Sequence, residues 1–303
     1  MLFTLSDGTT KLSHEIEDYD SATGKLISWV KVHTLSSTQD TILYLYYGNQ
    51  SAENQENKTD VWSNGYVGVW HMNDKTTSTI FDSTSNNNHG TKKAVNEPIE
   101  IDGKIGKAQN FDGSNDYIDC GAAVSIKPQL PVTVSAWVNK SQTTADTRTI
   151  FANNETNNTN ANHRGIRLGL DKNNKIDIHY GSNSGGCAPS SRRSKTGSSS
   201  ILINNWTYIS TIVRGALDMN IIFNSSDDGG TYSGNGGNLG YSSDSANIGR
   251  GQTGGGCINN YFPGKIDELR FSNVARSPEW IATEYANQND PASFYTVGQE
   301  ETI

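Results

Sequence analysis

Three stretches of the 303-residue chain gather side chains that could do chemistry. In "EIDGKI", Glu100 and Asp102 stand two apart. A strand would put both carboxylates on one face, as glycosidic cleavage by two carboxyl groups about 5 Å apart requires. A solvated turn ahead of the next strand accounts for the same residues. In "DSTSNNNHG", Asp82, Thr84, Asn86 and Asn88 offer alternating oxygens. Such hard donors suit Ca²⁺ with its roughly six to eight ligands, although the closing Glu of an EF-hand is absent. One carboxylate makes a weak site unless Asp74 or Asp112 joins it, and a hydrogen-bonded Asx turn is the alternative. The third set lies in loop-like sequence: His179 and Tyr180, Arg192 and Arg193, Arg250, and Asn259, Asn260 and Tyr261 of "CINNYF". Aromatic rings beside planar polar groups match the C–H faces and hydroxyl rim of a sugar. Tyr261, just ahead of a strand, could equally be core.

Cys187 and Cys257 fall in those same glycine-rich loops. They either form a bridge that stiffens the rim or remain free thiols, while Cys120 ends an apolar alternation and reads as a small buried hydrophobe. Three scattered cysteines make no paired-cysteine zinc site. There is no G-x-S-x-G elbow, no H-E-x-x-H and no P-loop. "HEIED" at 14–18 reads as a surface cluster, and His71 and His179 are the histidines best placed for a cleft.

The elements that must position these residues are strands. With 33% hydrophobic residues, 30 Gly and abundant Asn, Ser and Thr, the composition is that of many short strands joined by polar turns. "VTVSAWVN" sends Val132, Val134, Ala136 and Val138 one way and Thr133, Ser135 and Trp137 the other. "NNWTYISTIV" is apolar on both faces, with Trp206, Tyr208 and Ile212 opposite Ile209 and Val213. "GKIGKAQNFDGSNDYIDCG" at 103–121 reads as a hairpin anchored by Phe111, Tyr117 and Ile118. One short helix is expected after Ser277, a capping residue, with Pro278 at its first position. Before residue 60, "KLISWVKVHTL" and "DTILYLYYGN" are strand-like, but such a segment buries too little to stand alone, so a further strand is expected from elsewhere in the protein or from a neighbour.

A net charge of −8 without a basic block excludes nucleic acid as an expected partner. No apolar run approaches the roughly 20 residues of a membrane span, and residues 1–20 lack the pattern of a signal peptide. Sequons at Asn49, Asn57, Asn139, Asn154, Asn157, Asn205 and Asn224 are compatible with secretion.

The order "GVWHMND", "FDSTSNNNHGT", "GKIGKAQNFDGSNDYIDCG", "VTVSAWVN", "WTYISTIV", "NIGR", "FPGKIDELRFSNVARSPEWIATEY" resembles the laminin-G-like jelly rolls of the concanavalin A-like lectin/glucanase superfamily. The family's "YVDG" strand is replaced here by "IIFNSSDDGG". The preceding segment is similar to the second half of DUF2341, a family of unassigned function. The resemblance implies an all-β antiparallel jelly-roll sandwich over 61–303, with a smaller β segment over 1–60. It implies a structural ion held between an early loop and the Asp of "GKIDE", here Asp267, which gives a possible Ca²⁺ set of Asp74, Asp82, Asn86, Asp112 and Asp267. Related glycanases carry Glu-x-Asp-x-x-Glu; Glu100 and Asp102 begin that pattern, and Ile105 takes the last carboxylate's place.

Two stacked sheets sharing one interior formed by Phe111, Trp137, Trp206 and Ile266 are therefore expected. The functional expectation is a non-catalytic extracellular or cell-surface module that binds a glycan or mediates adhesion. Its alternatives are a subunit of a surface filament assembling by strand pairing with neighbouring copies, and a glycoside hydrolase with atypical catalytic residues.

Overall fold

The computed structural model describes residues 1–74, 77–93, 97–154, 162–251 and 260–302. Five strands open the chain: β1 (Leu2–Leu5), β2 (Lys11–Leu12), β3 (His14–Asp20), β4 (Lys25–Val30) and β5 (Leu43–Tyr46). A one-turn helix α1 (Lys58–Val61) leads to β6 (Tyr66–Trp70), β7 (Thr79–Ile80), β8 (Gly90–Lys93), β9 (Ile99–Asp102), β10 (Lys107–Asp112) and β11 (Tyr117–Asp119). The middle of the chain forms β12 (Val132–Lys140), β13 (Arg148–Ala152), β14 (Arg164–Leu170), β15 (Lys175–Ser182) and β16 (Arg192–Ser200). It continues with β17 (Thr207–Gly215), β18 (Asp218–Phe223), β19 (Ser226–Asp227), β20 (Thr231–Ser233), β21 (Asn247–Ile248) and β22 (Pro263–Ser272). The helices α2 (Pro278–Asn289) and α3 (Pro291–Phe294) follow.

Two large antiparallel sheets make the sandwich. One has eight strands in the order β19-β18-β17-β12-β22-β10-β9, with β6 also on β22; the other has nine, β20-β16-β15-β14-β13-β21-β11-β8-β7. Alternation along each strand fills the space between them. Val132, Val134, Ala136 and Val138 from β12 meet Ile118, Phe151, Leu168 and Ile178 from the opposite sheet, with Phe111 and Ile266 in the same cluster.

Trp137 and Trp206 depart from the expected single interior. They belong to a second cluster with Tyr208, Ile212 and Ile222 on the back of the eight-stranded sheet. The reason is parity: with Ala136 and Val138 turned inward, Trp137 must turn out. Helix α2 covers it, stacking Tyr285 on Trp137 at 5.7 Å and accepting the Trp137 Nε1 hydrogen bond at Gln288 Oε1. Ser277 caps α2 by accepting from the Trp280 N–H, and Pro278 occupies the first turn.

The 103–121 segment is a corner between sheets, not a hairpin. β10 pairs with β9 and β22, whereas β11 pairs with β8 and β21 in the opposite sheet. Asp112 Oδ1 accepts the N–H groups of Ser114, Asn115 and Asp116, which turns the chain across the sandwich. Gly113, at φ +77°, lies so close to Pro263 that a Cβ would fall 2.6 Å from the proline's Cβ. Phe111 and Ile118 thus reach one core from two sheets, and Tyr117 faces outward.

The N-terminal strands form a three-stranded sheet, β2-β1-β5, and a hairpin, β3-β4. The "HEIED" stretch is not a surface cluster. His14, Glu15 and Glu17 are buried: His14 packs edge-on against Phe3 of β1, while Glu15 and Glu17 meet His71, just after β6, on the back of the eight-stranded sheet.

Candidate functional site

The face of the nine-stranded sheet turned away from the core carries a row of polar side chains, most of them buried. Strand register aligns Ser194 with His179, His179 with Arg167, Arg167 with Ala152, Ala152 with Asn247, and Asn247 with Asp119. Because Phe151, Leu168, Ile178 and Ile248 face the core, these partners face away from it. Strand spacing makes the six-residue row about 24 Å long.

Arg167 is the centre of the row. Its Nε donates to Thr149 Oγ1 at 2.8 Å, Nη1 to Asp177 Oδ1 at 2.9 Å and Nη2 to the Arg148 carbonyl at 3.1 Å. Asp177 Oδ2 accepts from Thr196. Gly169 makes room for the guanidinium, since a Cβ there would sit 2.5 Å from Nη2. Beside it, His179 meets His163 edge-on at 5.2 Å. Arg192 Nη1 lies 2.9 Å from His163 Nε2, and its Nε donates to Ser194 Oγ. An arginine only donates, so His163 Nε2 is the acceptor in this contact.

At the other end the guanidinium of Arg250 lies 3.5 Å from the centre of the Tyr117 ring, and its Nη2 donates to Asn247 Oδ1. Tyr261 comes within 6.4 Å of Tyr117, and its carbonyl accepts from Arg148 Nη1. Asn260 ties this end to β13: its carbonyl accepts from the Thr149 N–H, and its own N–H donates to the Thr147 carbonyl.

The residues expected from sequence therefore fall into two groups on one face, His179 with Arg192 and Arg250 with Asn260 and Tyr261, joined by the Arg167–Asn247 row. Tyr180 is not among them. It follows His179 by one residue, so it turns into the core and is 3% exposed. Asn259 lies outside the described residues. Cys187 is disulfide-bonded and Cys120 is a buried free thiol, whereas Cys257 lies outside the described residues. Sequence reasoning missed Arg167, Asp177, His163 and Tyr117. The signal was charge alternating with apolar residues in "RGIRLGLD" and "KIDIHYG".

The five expected calcium ligands do not converge. Asp82 is fully buried and already accepts from the N–H groups of Val69, Thr84 and Asn88 and from the Thr84 hydroxyl. Asn86 donates to the Val67 carbonyl. Asp112 caps the sheet-crossing turn, Asp74 Oδ2 pairs with Lys92 Nζ at 2.6 Å, and Asp267 Oδ2 accepts the Ile105 N–H. Asp82 and Asn86 are spent in an Asx-type loop, and although Asp267 Oδ1 is buried without a hydrogen-bond partner, the four Asp carboxylates do not gather into one metal-binding group among the described residues.

Among the described residues, the metal-capable side chains that do converge are Glu17, His71 and Glu268, with ligand atoms within 4.8 Å of one another. They behave as an ion-pair network. His71 Nδ1 lies 2.6 Å from Glu268 Oε1 and Nε2 lies 3.3 Å from Glu15 Oε2, so a doubly protonated ring serves both. Burial alone would lower the His71 pKa; Glu268 and Glu17 outweigh it and hold it well above the usual imidazole value. Burial likewise opposes ionisation of Glu15, but His71, Ser83 and Trp62 draw it down to about 2. Glu17 goes the other way, pushed up to about 7 by burial and then by the Glu268 charge. Trp29 stacks on His71 at 5.5 Å and donates to Glu17, while Arg270 lies over Trp29 and Trp62 and binds Glu268 and Glu284. This network clamps the N-terminal hairpin to the sandwich.

Glu100 and Asp102 do not share a cleft. Glu100 Oε2 accepts the Asp74 N–H and lines a cavity of about 530 Å³ with Lys92 and Glu97, whereas Asp102 projects into solvent and pairs with Lys107.

A family model for the concanavalin A-like lectin/glucanases superfamily matches residues 112–282, and a model for a domain of unknown function, DUF2341, matches residues 1–93. Compared by sequence with curated proteins, the chain finds no match. Among solved structures it is similar to domain 4 of an extracellular arabinanase from Geobacillus stearothermophilus, in complex with arabinotriose. The TM-score is 0.52 and the identity 23%, over 73% of this chain and 98% of that one. It is also similar to the binding domain of Paraclostridial Mosquitocidal Protein 1, with TM-score 0.54 and 14% identity over 76% of this chain and 53% of that one. The binding domain of botulinum neurotoxin serotype G gives 0.52 and 14%, over 74% and 51%. The chain thus spans about half the length of the two toxin domains, and at these identities the likeness is one of fold.

Proposed function

The chain belongs to the concanavalin A-like lectin/glucanase superfamily, and on that premise we propose that it is a non-catalytic, extracellular carbohydrate-binding or adhesion module whose glycan lies along the outer face of the nine-stranded sheet. The observation that carries the reading is the aligned polar row ending in the Tyr117–Arg250–Tyr261 group. The middle of the row is buried and bonded to itself, and its half-buried ends, Arg192 at one and Asp119, Asn260, Tyr117 and Tyr261 at the other, supply the donors, acceptors and aromatic rings that suit sugar hydroxyls and C–H faces. The arabinanase domain of similar fold, seen with arabinotriose, supports a glycan as the ligand class. The Cys187 disulfide supports an oxidising compartment. Residues 1–60 would form the attached N-terminal unit, with 61–303 as the binding sandwich.

Calorimetric titration of the protein with a panel of oligosaccharides that includes arabinotriose tests this. Saturable binding lost in Tyr261→Ala and in Arg250→Ala is expected. Silence across the panel, or binding indifferent to both substitutions, overturns it.

One observation favours assembly by strand pairing. Among the described residues β5 pairs with β1 alone, and Ile42, Tyr44, Leu45 and Tyr47 around it are exposed. Light scattering that finds only monomers across a wide concentration range removes that reading.

A further inference from the structure

Lys140 is the last residue of β12, and alternation from Val132, Val134, Ala136 and Val138 turns its side chain inward, where it is fully buried. Its Nζ meets Asn174 Oδ1 and, at 3.4 Å, Thr144 Oγ1; it forms no ion pair among the described residues. Asn174 sits in the turn between β14 and β15 of the opposite sheet, at φ +63°. That turn is fixed by Asp171 Oδ1, which accepts from the N–H groups of Asn173 and Lys175, and the Asn174 carbonyl accepts from the Ile201 N–H. The Lys140 carbonyl is pinned in turn by the Asn204 N–H. A buried amine from one sheet and a half-buried carboxamide from the other are thus held together, with no carboxylate paired to the amine among the described residues.

We propose that Lys140 and Asn174 condense to an intramolecular isopeptide bond that ties the eight-stranded sheet to the nine-stranded one. The neutral amine attacks Asn174 Cγ; the Nζ–Cγ bond forms, the Cγ–Nδ2 bond breaks, and Nδ2 leaves as ammonia after receiving the proton given up by Nζ. No oxidant, reductant or further reactant is needed. Burial favours the neutral nucleophile: together with the nearby Arg148 it lowers the Lys140 pKa to about 8, against a smaller opposing effect of Asp171. Fixed proximity replaces the encounter of two free groups. The product also removes a buried ammonium that has no ion-pair partner among the described residues.

Intact mass spectrometry of the folded protein after disulfide reduction, followed by tryptic mapping, is the test. The expected result is a mass one ammonia below that of the sequence, no cleavage after Lys140, and a branched peptide joining Lys140 to Asn174. Asn174→Gly, which tolerates the positive φ, should return to its full sequence mass and restore cleavage. A wild-type protein at full mass overturns the proposal. So does an ammonia deficit confined to a linear peptide at Asn174, the mark of a succinimide. The mass and map of the wild-type protein decide the matter even if the variant does not fold.

Discussion

Replacing Glu17 with Gln should stabilise the protein above neutral pH and leave it nearly unchanged in mild acid. Glu17 is buried between the hairpin and β22, facing Glu268, His71 and Arg270. Its carboxyl is shifted from an ordinary 4.5 to about 7 by burial and the Glu268 charge. A folded-state value above the unfolded one means that the folded form favours the proton, so the contribution is full below pH 4.5 and is lost as pH rises through about 7. The shift corresponds to about 3 kcal/mol of stability across that window. Glutamine is neutral throughout and keeps an oxygen for the Trp29 Nε1 hydrogen bond, which spans 2.8 Å. The value of about 7 already contains the attraction of His71, so a gain of about 3 kcal/mol is expected at pH 8.5. Urea unfolding followed by tryptophan fluorescence, with Trp29 and Trp62 as reporters on the hairpin, measures this at pH 5 and pH 8.5. A variant less stable than wild type at pH 8.5 would refute the reasoning, because Glu17 would then be a useful ionised partner of His71.

His71→Ala should cost about 3–5 kcal/mol, since it leaves the buried Glu15 carboxylate without its cation and Glu268 with Arg270 alone; chemical unfolding checks this. Glu15, held near 2 against an ordinary 4.5, contributes stability that is present above pH 4.5 and lost as pH falls towards 2, about 3 kcal/mol in all. Glu15→Gln should flatten the acid limb of the unfolding profile. Asp82→Ala removes four hydrogen bonds from a buried loop and should cost about 3 kcal/mol, while thermal melts with Ca²⁺ and with a chelator should coincide. Tyr180→Phe, on the core side of β15, should leave glycan binding intact in the titration that Tyr261→Ala abolishes.

Patterns with a short period were legible in the sequence. The alternation of β12, the two apolar faces of β17 and the Ser277–Pro278 start of α2 all appear where the residues placed them. Contacts between distant segments were not. Nothing local says that Asp112 turns the chain into the other sheet, because the same Asp-Gly-Ser-Asn-Asp chemistry closes a hairpin. Trp137 looked like core because it is core, but of a second layer that exists only once α2 folds over it. The calcium reading counted oxygens without the N–H groups that consume them. The charged clamp was hidden for the same reason: Glu15 and Glu17 are ordinary surface residues until His71 and Arg270 arrive from far along the chain. The polar row could have been found by applying to Arg167, Asp177 and His179 the period-two rule that separates His179 from Tyr180.

A glycan bound on the outer face of the nine-stranded sheet would be revealed by hydrogen–deuterium exchange with and without a saturating oligosaccharide. Slowed exchange should appear in β14, β15 and β21 and at Asn260–Tyr261, with none in the β3–β4 hairpin or α2. Protection confined to the eight-stranded sheet, or none at saturation, would place the ligand elsewhere and rule this face out.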